Sequence, residues 1–281
     1  MRRLALFLSF LAFVFAQPAA AASTPALTSL ETQLRSLLSS KSADIGIAAL
    51  DLNSGETVSI KGDTKFPMAS TVKLAVAATY LSHVDRGRRS LDDTINGTSV
   101  RTLMARMLIH SDNRATDIIM KDLGGPDAVQ EWLDYHGFKS MRIDRTIARL
   151  LADKRDLWDH RDSATPLAMV EFLRQIDRGT VLKPASRHYL LGLMARCKTG
   201  RNRMKALLPF GTLVEHKPGT LNGLTDDVGF ITLPDGRRLA VAFFARGGSN
   251  RPASIAEAAR TVYDGFRAVV TWPFQQIQTG R

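Results

Sequence analysis

Strand-like segments lie at the two ends of this chain and helix-like ones fill the middle, and that order is what most restricts its fold. Near the N-terminus, Ser29 to Leu38 has helical apolar spacing and Asp44 to Leu52 reads as a buried strand; Asn53-Ser54-Gly55 is a turn and Glu56 to Ile60 the returning strand. Near the C-terminus, Thr212 to His216, Val228 to Leu233 and Arg238 to Ala245 read as strands, the last two joined by Pro234-Asp235-Gly236. Pro252 to Trp272 then reads as a long amphipathic helix. Between these ends, Thr71 to Leu81, Val100 to Leu108, Ala115 to Leu123, Asp127 to Tyr135, Pro166 to Ile176 and Pro184 to Ala195 all have helical spacing, punctuated by Gly124-Gly125-Pro126, Gly137 and Gly179. The expected fold class is therefore α+β: one antiparallel sheet built from both chain ends with flanking helices, plus an all-helical lobe between them. The corresponding division is 23–66 with 206–281 for the sheet part and 67–205 for the helical part, with a site expected where the two meet.

Met1-Arg2-Arg3 precedes the apolar run Leu4 to Ala16, followed by Gln17-Pro18-Ala19-Ala20-Ala21-Ala22-Ser23. That is the pattern of a secretory signal peptide over 1–22, cut after Ala22, which predicts a secreted or periplasmic chain with no membrane anchor once the leader is removed. The run is short of the roughly 20 apolar residues that a spanning helix needs. The formal charge of +11 is spread along the chain rather than gathered in one tract, and export argues against nucleic acid as a partner. A solvated basic surface and a monomer are expected. The single cysteine, Cys197, excludes an intramolecular disulfide. It follows the apolar pattern Tyr189-Leu190-Leu191-Gly192-Leu193-Met194 and reads as a buried thiol with no obvious base beside it. The six histidines have no paired ligand spacing, so neither a metal nor another cofactor is implied.

Three short stretches carry chemistry. In Ser70-Thr71-Val72-Lys73 the serine and lysine share a helix face one turn apart, so a desolvated lysine amine could take the proton of the serine hydroxyl. The plainer alternative makes Ser70 an N-cap and Lys73 a solvated cation. Ser111-Asp112-Asn113 lies between two predicted helices: Ser111 offers a second hydroxyl, Asn113 an amide, and Asp112 a carboxylate to hold the loop or cap the next helix. The third stretch should put a cation on a strand. Lys198-Thr199-Gly200 follows a helix and has no strand attached, with Gly200 read as a helix C-cap. His216-Lys217-Pro218-Gly219-Thr220 ends a predicted strand instead, and Gly219 would let that backbone approach a bound molecule closely.

Taken together these stretches resemble the class A serine β-lactamases, within the wider family of penicillin-recognising serine enzymes. Phe66-Pro67-Met68-Ala69-Ser70-Thr71-Val72-Lys73-Leu74 is similar to the family's nucleophile helix, Ile109-His110-Ser111-Asp112-Asn113 to its second motif, and Lys217-Pro218-Gly219-Thr220 to its third, with proline in place of the usual threonine or serine. Ile143-Asp144-Arg145 and Arg161-Asp162-Ser163-Ala164-Thr165-Pro166 resemble the two borders of the family's omega loop. The resemblance covers nearly all of the mature chain. It implies that Ser70 attacks a β-lactam carbonyl while Lys73 and Ser111 move protons, and that the backbone N–H groups of Ser70 and Thr220 form the oxyanion hole. It also implies that Asn113 binds a substrate amide and that Lys217, Ser111 and Thr220 hold the ring carboxylate. Some members place an arginine just before the sheet, and Arg203 occupies that place here, its alternative being a surface arginine.

The departure is in the omega loop. Family members carry a glutamate three residues after the aspartate of the Asp-Arg pair and an asparagine four residues later, which hold the water that cleaves the acyl-enzyme. Ile147 and Leu151 stand at those places, and neither can accept a proton or bond a water. Asp153, Asp156, Asp159 and His160 lie in the same segment as possible substitutes or as solvated loop charges. The expected function is a periplasmic β-lactam hydrolase acting through a Ser70 acyl-enzyme that deacylates slowly or by an unusual base. The alternatives are a D-alanyl-D-alanine peptidase or amidase on cell-wall peptides, and a penicillin-binding module without turnover.

Overall fold

The structure, a computed structural model, describes residues 25–154 and 156–269. The predicted signal peptide and the last residues of the predicted C-terminal helix lie outside the described residues. Along the chain the elements are α1 (Pro25–Ser39), β1 (Asp44–Asp51), β2 (Thr57–Ile60), β3 (Phe66–Pro67), a 3₁₀ turn (Ala69–Val72), α2 (Lys73–Asp85), β4 (Thr94–Ile95), β5 (Thr98–Ser99), α3 (Val100–Ile109) and α4 (Asn113–Leu123). They continue with α5 (Pro126–Tyr135), α6 (Ile147–Ala152), β6 (Ser163–Ala164), α7 (Pro166–Arg178), α8 (Pro184–Ala195), β7 (Val214–Leu221), β8 (Leu224–Thr232), β9 (Arg238–Arg246) and α9 (Arg251–Ala268). Among the described residues no helix is long and apolar enough to cross a membrane.

The sheet joins the two ends of the chain, in the order β2-β1-β9-β8-β7, and every pairing is antiparallel. Its central strands are apolar almost throughout: β1 reads Asp-Ile-Gly-Ile-Ala-Ala-Leu-Asp and β9 Arg-Leu-Ala-Val-Ala-Phe-Phe-Ala-Arg. That composition suits a sheet covered on both faces. One face, through Ile47, Val241 and Phe243, packs with Leu30 and Leu34 of α1 and Val262 and Phe266 of α9. The other, through Ala48, Phe230, Ala242 and Phe244, is continuous with the core of the helical lobe, around α2, where Leu74 to Leu81 are fully buried. Strand β7 lies at the sheet's edge against the 3₁₀ turn and α8. It runs on through Lys217 to Leu221, five residues past the predicted end at His216, because β8 starts at Leu224 and pairs with it to the turn.

The segment from Asp144 to Asp162 is a loop closed by its own charges. Arg145 is buried and bonds three carboxylates: Asp162 at 2.6 Å, and Asp153 and Asp159 at 3.1 Å each. Asp162 also accepts the backbone N–H groups of Asp144 and Arg145, which pins the two borders together. Within the loop, Thr146 caps α6, while Asp117 of α4 accepts the N–H groups of Ile147 and Ala148. The far side of the loop is tied to the sheet by stacking. The Arg246 guanidinium lies 4.5 Å from the Phe66 ring centre and 3.5 Å from that of Trp158, and Phe66 stacks on Phe244 at 6.0 Å.

The hydrogen bond from Arg161, outweighing the opposing effect of burial, pulls Asp159 down to about 2. A carboxylate whose folded value is depressed contributes stability above its unfolded value near 4 and loses it as pH falls through the folded one. The fluorescence of Trp158, isolated by replacing Trp132 and Trp272 with phenylalanine, is therefore expected to stay constant from pH 7 to about 4. It should change as the loop loosens between about pH 4 and 2.

Candidate active site

Ser70 sits in the 3₁₀ turn, one residue after Ala69, whose φ of 46° is in the left-handed region where a side chain is strained. The N-cap alternative for Ser70 is not realised: the 3₁₀ turn is preceded by Met68 and α2 by Val72, and neither start uses a side-chain cap. The Ser70 hydroxyl is left for chemistry, with Lys73 Nζ at 3.1 Å. Ser111 is also left-handed, at φ 59°, and this bend brings its carbonyl and its hydroxyl to the same amine. Lys73 Nζ lies 2.7 Å from Ser111 O, 2.7 Å from Asn113 Oδ1 and 3.1 Å from Ser111 Oγ. Asp112 holds the loop in shape, accepting from Ala115 N as the cap of α4 and from the Arg106 guanidinium.

The Lys217 amine reaches the same hydroxyl from the sheet side. Its Nζ donates to Ser111 Oγ at 2.9 Å and to Pro218 O at 2.8 Å, so one hydroxyl lies between two lysines. Gly219 makes this approach of strand to turn possible: a Cβ there would meet Met68 O at 2.9 Å and Ala69 Cβ at 3.1 Å. Thr220 is exposed at the mouth of the cleft. Arg203 lies behind the strand instead of facing the opening, and is only 8% exposed. Its Nη1 donates to Gly219 O at 2.7 Å and Asp226 O at 2.8 Å, and its Nη2 to Thr220 Oγ1. One nitrogen reaches both carbonyls only if they turn into the same gap. The alternate residues Pro218 and Thr220 therefore turn their backbone to the open edge of the sheet. Lys198-Thr199-Gly200 is off the sheet, as expected, but Gly200 is not the cap of α8, which ends at Ala195 and is capped by Arg196. Gly200 turns left-handed, at φ 70°, against the ring of Pro218.

Both lysines are fully buried, and this sets their chemistry. Burial, with the charge of Lys217 added, brings the Lys73 amine down to about 7, against the weaker pull of Asp112 and Asp117. Burial likewise brings Lys217 to about 8, against Cys197 and Asp227. Near neutrality Lys73 is thus poised between amine and ammonium. As the amine it has two N–H bonds for the acceptors at 2.7 Å and a lone pair for a hydroxyl, a geometry able to draw a proton from Ser70.

Sequence reasoning missed the surroundings of Cys197. The thiol bonds Thr199, and although burial works to keep it protonated, the influence of the fully buried His216, whose Nδ1 lies 2.8 Å from Asp227 Oδ1, brings it to about 7. The signal was available only as alternation along the strand, since His216 and Lys217 are neighbours that must face opposite sides. Of the residues in the omega-loop segment, Ile147 is buried in the helical core and Leu151 is half exposed. Asp153 and Asp159 are paired with arginines, Asp156 accepts the Trp158 N–H, and His160 is exposed. A groove of about 620 Å³ opens beside Asn113, between α4 and α6, lined in part by Ile95, Ile118, Ala148 and Leu151.

The comparisons with known proteins agree with this arrangement. The family model described as the β-lactamase enzyme family matches residues 29–266. The extended-spectrum β-lactamase PER-1 of Pseudomonas aeruginosa is 31% identical over 267 residues, covering 83% of this chain and 86% of that protein. The β-lactamase VEB-1 of the same organism is 31% identical, covering 76% of this chain and 81% of its own. Among solved structures, the ancestral class A β-lactamase of the last common ancestor of Gram-negative bacteria superposes with a TM-score of 0.80 at 32% identity, over 84% of this chain and all of that one. A β-lactamase from Chitinophaga pinensis gives 0.79 at 28% identity, over 85% and 99% of the two chains. With its sheet of both chain ends and a serine, two lysines and a second serine gathered at the lobe boundary, the chain belongs to the β-lactamase enzyme family, in class A.

Proposed function

We propose that the chain is an exported β-lactam hydrolase that forms its acyl-enzyme on Ser70 and breaks it slowly. The observation that carries this reading is the buried amine of Lys73 within reach of Ser70, Ser111 and Asn113. Ser70 Oγ attacks the lactam carbonyl carbon as its proton passes to Lys73 Nζ, and the oxyanion lies against the N–H groups of Ser70 and Thr220. The C–N bond then breaks, and the proton moves from Lys73 through Ser111 Oγ to the departing ring nitrogen, leaving an ester on Ser70. Lys217, Ser111 and Thr220 hold the ring carboxylate, and Asn113 takes the side-chain amide. Arg203 acts on that carboxylate through its bond to Thr220.

Hydrolysis of the ester needs a base for water. The omega loop supplies none at Ile147 or Leu151, and its nearest carboxylates are engaged with Arg145, Arg149 and Arg161. Lys73, neutral again once the ring nitrogen is protonated, is left as the base. General-base assistance is typically worth about 10² to 10⁴-fold, so deacylation should be slower by that order than with a dedicated carboxylate. The leader at 1–22 supports export to the periplasm, where β-lactams and wall peptides are both met.

Mixing the purified protein with a penicillin and weighing it intact should give a Ser70 adduct of the whole drug mass that persists while hydrolysis lags. Ser70→Ala should give no adduct. Unmodified wild-type protein together with undegraded drug overturns the reading, and release of D-alanine from a wall peptide without lactam turnover replaces it with the peptidase. The acylation rate is expected to rise with pH as Lys73 loses its proton near about 7 and to fall as Lys217 loses its charge near about 8. A stopped-flow pH series reads both limbs.

A further inference from the structure

The groove that opens beside Asn113 takes no part in the acyl-transfer steps. Its long wall is α4, where Asn113, Asp117 and Lys121 recur at four-residue intervals along one face, with Arg114 and Ile118 beside them. Opposite stand Ala148 and Leu151 of α6, and the β4-β5 hairpin closes a third side through Ile95. These walls are set before any ligand arrives. Asp117 accepts Ile147 N at 2.7 Å and Ala148 N at 2.9 Å, which seats α6 on α4, and the hairpin turns tightly at Asn96 and Gly97, both left-handed. Leu151 is left 47% exposed there, and the volume of about 620 Å³ is that of a small-molecule pocket. Asn113 stands where the groove meets the catalytic cleft. Its Oδ1 is taken by Lys73 Nζ at 2.7 Å, so its NH₂ is the end left to meet a carbonyl oxygen. The four charges on the groove are not equivalent. Asp117 is occupied by the two N–H groups of α6, and Asp122 is paired with Arg89 at 3.1 Å. Arg114 and Lys121 are exposed, and among the described residues neither side chain has a carboxylate partner.

We propose that this groove is a second recognition site for the substrate, taking the far part of its acyl side chain: an extended apolar chain that ends in a carboxylate held by Arg114 and Lys121. The proposal rests on the reading of Asn113 as the contact for the side-chain amide. With its carbonyl oxygen on the Asn113 NH₂, that amide delivers the rest of the side chain to the head of the groove. From Asn113 to Lys121 the helix rises about 12 Å. An apolar chain laid along it removes Ile118, Ala148 and Leu151 from water, and the flexible stems of Arg114 and Lys121 bring their charges to its end. An ammonium at that end would meet two cations, with both carboxylates already engaged. A short side chain stops at Asn113 and leaves the groove unused. Leu151, unable to bond a water, has a use here as apolar surface.

Three penicillins test this, made by acylating the aminopenicillanic acid nucleus with eight-carbon chains that end in a methyl, a carboxylate or an ammonium group. The efficiency of Ser70 acylation, followed by stopped flow, should favour the carboxylate end over the methyl end by roughly three- to tenfold, the size of one or two exposed charge pairs. The ammonium end should fall below the methyl. Salt at about 1 M should shrink the spread. In the double variant Arg114→Gln with Lys121→Gln the carboxylate and methyl ends should become equal. A folding defect would lower all three compounds together and keep their ratios, so the ratio reads recognition alone. Equal efficiencies in the parent, or a carboxylate advantage that survives in the double variant, overturn the proposal. If the parent forms no acyl adduct with any penicillin, the functional reading fails. The equilibrium affinities of Ser70→Ala for the same three compounds, which need no chemistry, then decide the groove by themselves: the same order supports it and equal affinities overturn it.

Discussion

A fully buried lysine amine governs the layout of this protein. Burying Lys73 is tolerable only because Ser111 and Asn113 supply acceptors at 2.7 Å and because the amine can shed its charge. Those acceptors come from a loop between α3 and α4, so the helical lobe must be folded for the amine to have partners. The second lysine comes from the sheet, and Gly219 lets its strand lie against the 3₁₀ turn. Neither half of the molecule holds the site alone. The left-handed backbone at Ala69 and Ser111 is the local strain that this convergence requires, offset by packing on all sides.

The omega-loop segment separates scaffolding from chemistry. Arg145 with its three aspartates, the cap at Thr146 and the Arg246 stack hold the loop as firmly as a working loop would need. Yet Ile147 turns its side chain into the core, while Ala148 and Leu151 form a wall of the groove beside Asn113.

Much of this was legible in the residues. The sheet from both ends follows from apolar alternation and two turns, and the Ser70, Ser111 and Lys217 motifs, each with a plain alternative when taken alone, point to one centre because they occur together and in order. What could not be read depends on contacts between distant segments. The pairing of Phe66-Pro67 with Ser163-Ala164 involves strands too short to leave a periodic signal. The six-residue helix α6 begins where Asp117, some thirty positions away, accepts its first N–H groups. The bond of His216 to Asp227 joins β7 to β8, and the burial of Arg203 depends on carbonyls of two strands that only the sheet brings together. Ser70 as a helix cap was physically sound but lost to a 3₁₀ turn that leaves the hydroxyl unused by the backbone.

Pro218 carries a further consequence. Strand β7 ends the sheet, and an edge strand with unpaired N–H and C=O groups invites any extended chain to pair with it, a partly unfolded copy of the same protein included. The cleft needs that edge open for a substrate. Proline on it costs no ladder bond, since its backbone turns outward, but it removes one donor from the row that an intruding strand would need. The residue that departs from the usual third motif thus blunts the cleft as a template for aggregation while leaving it open to a small molecule.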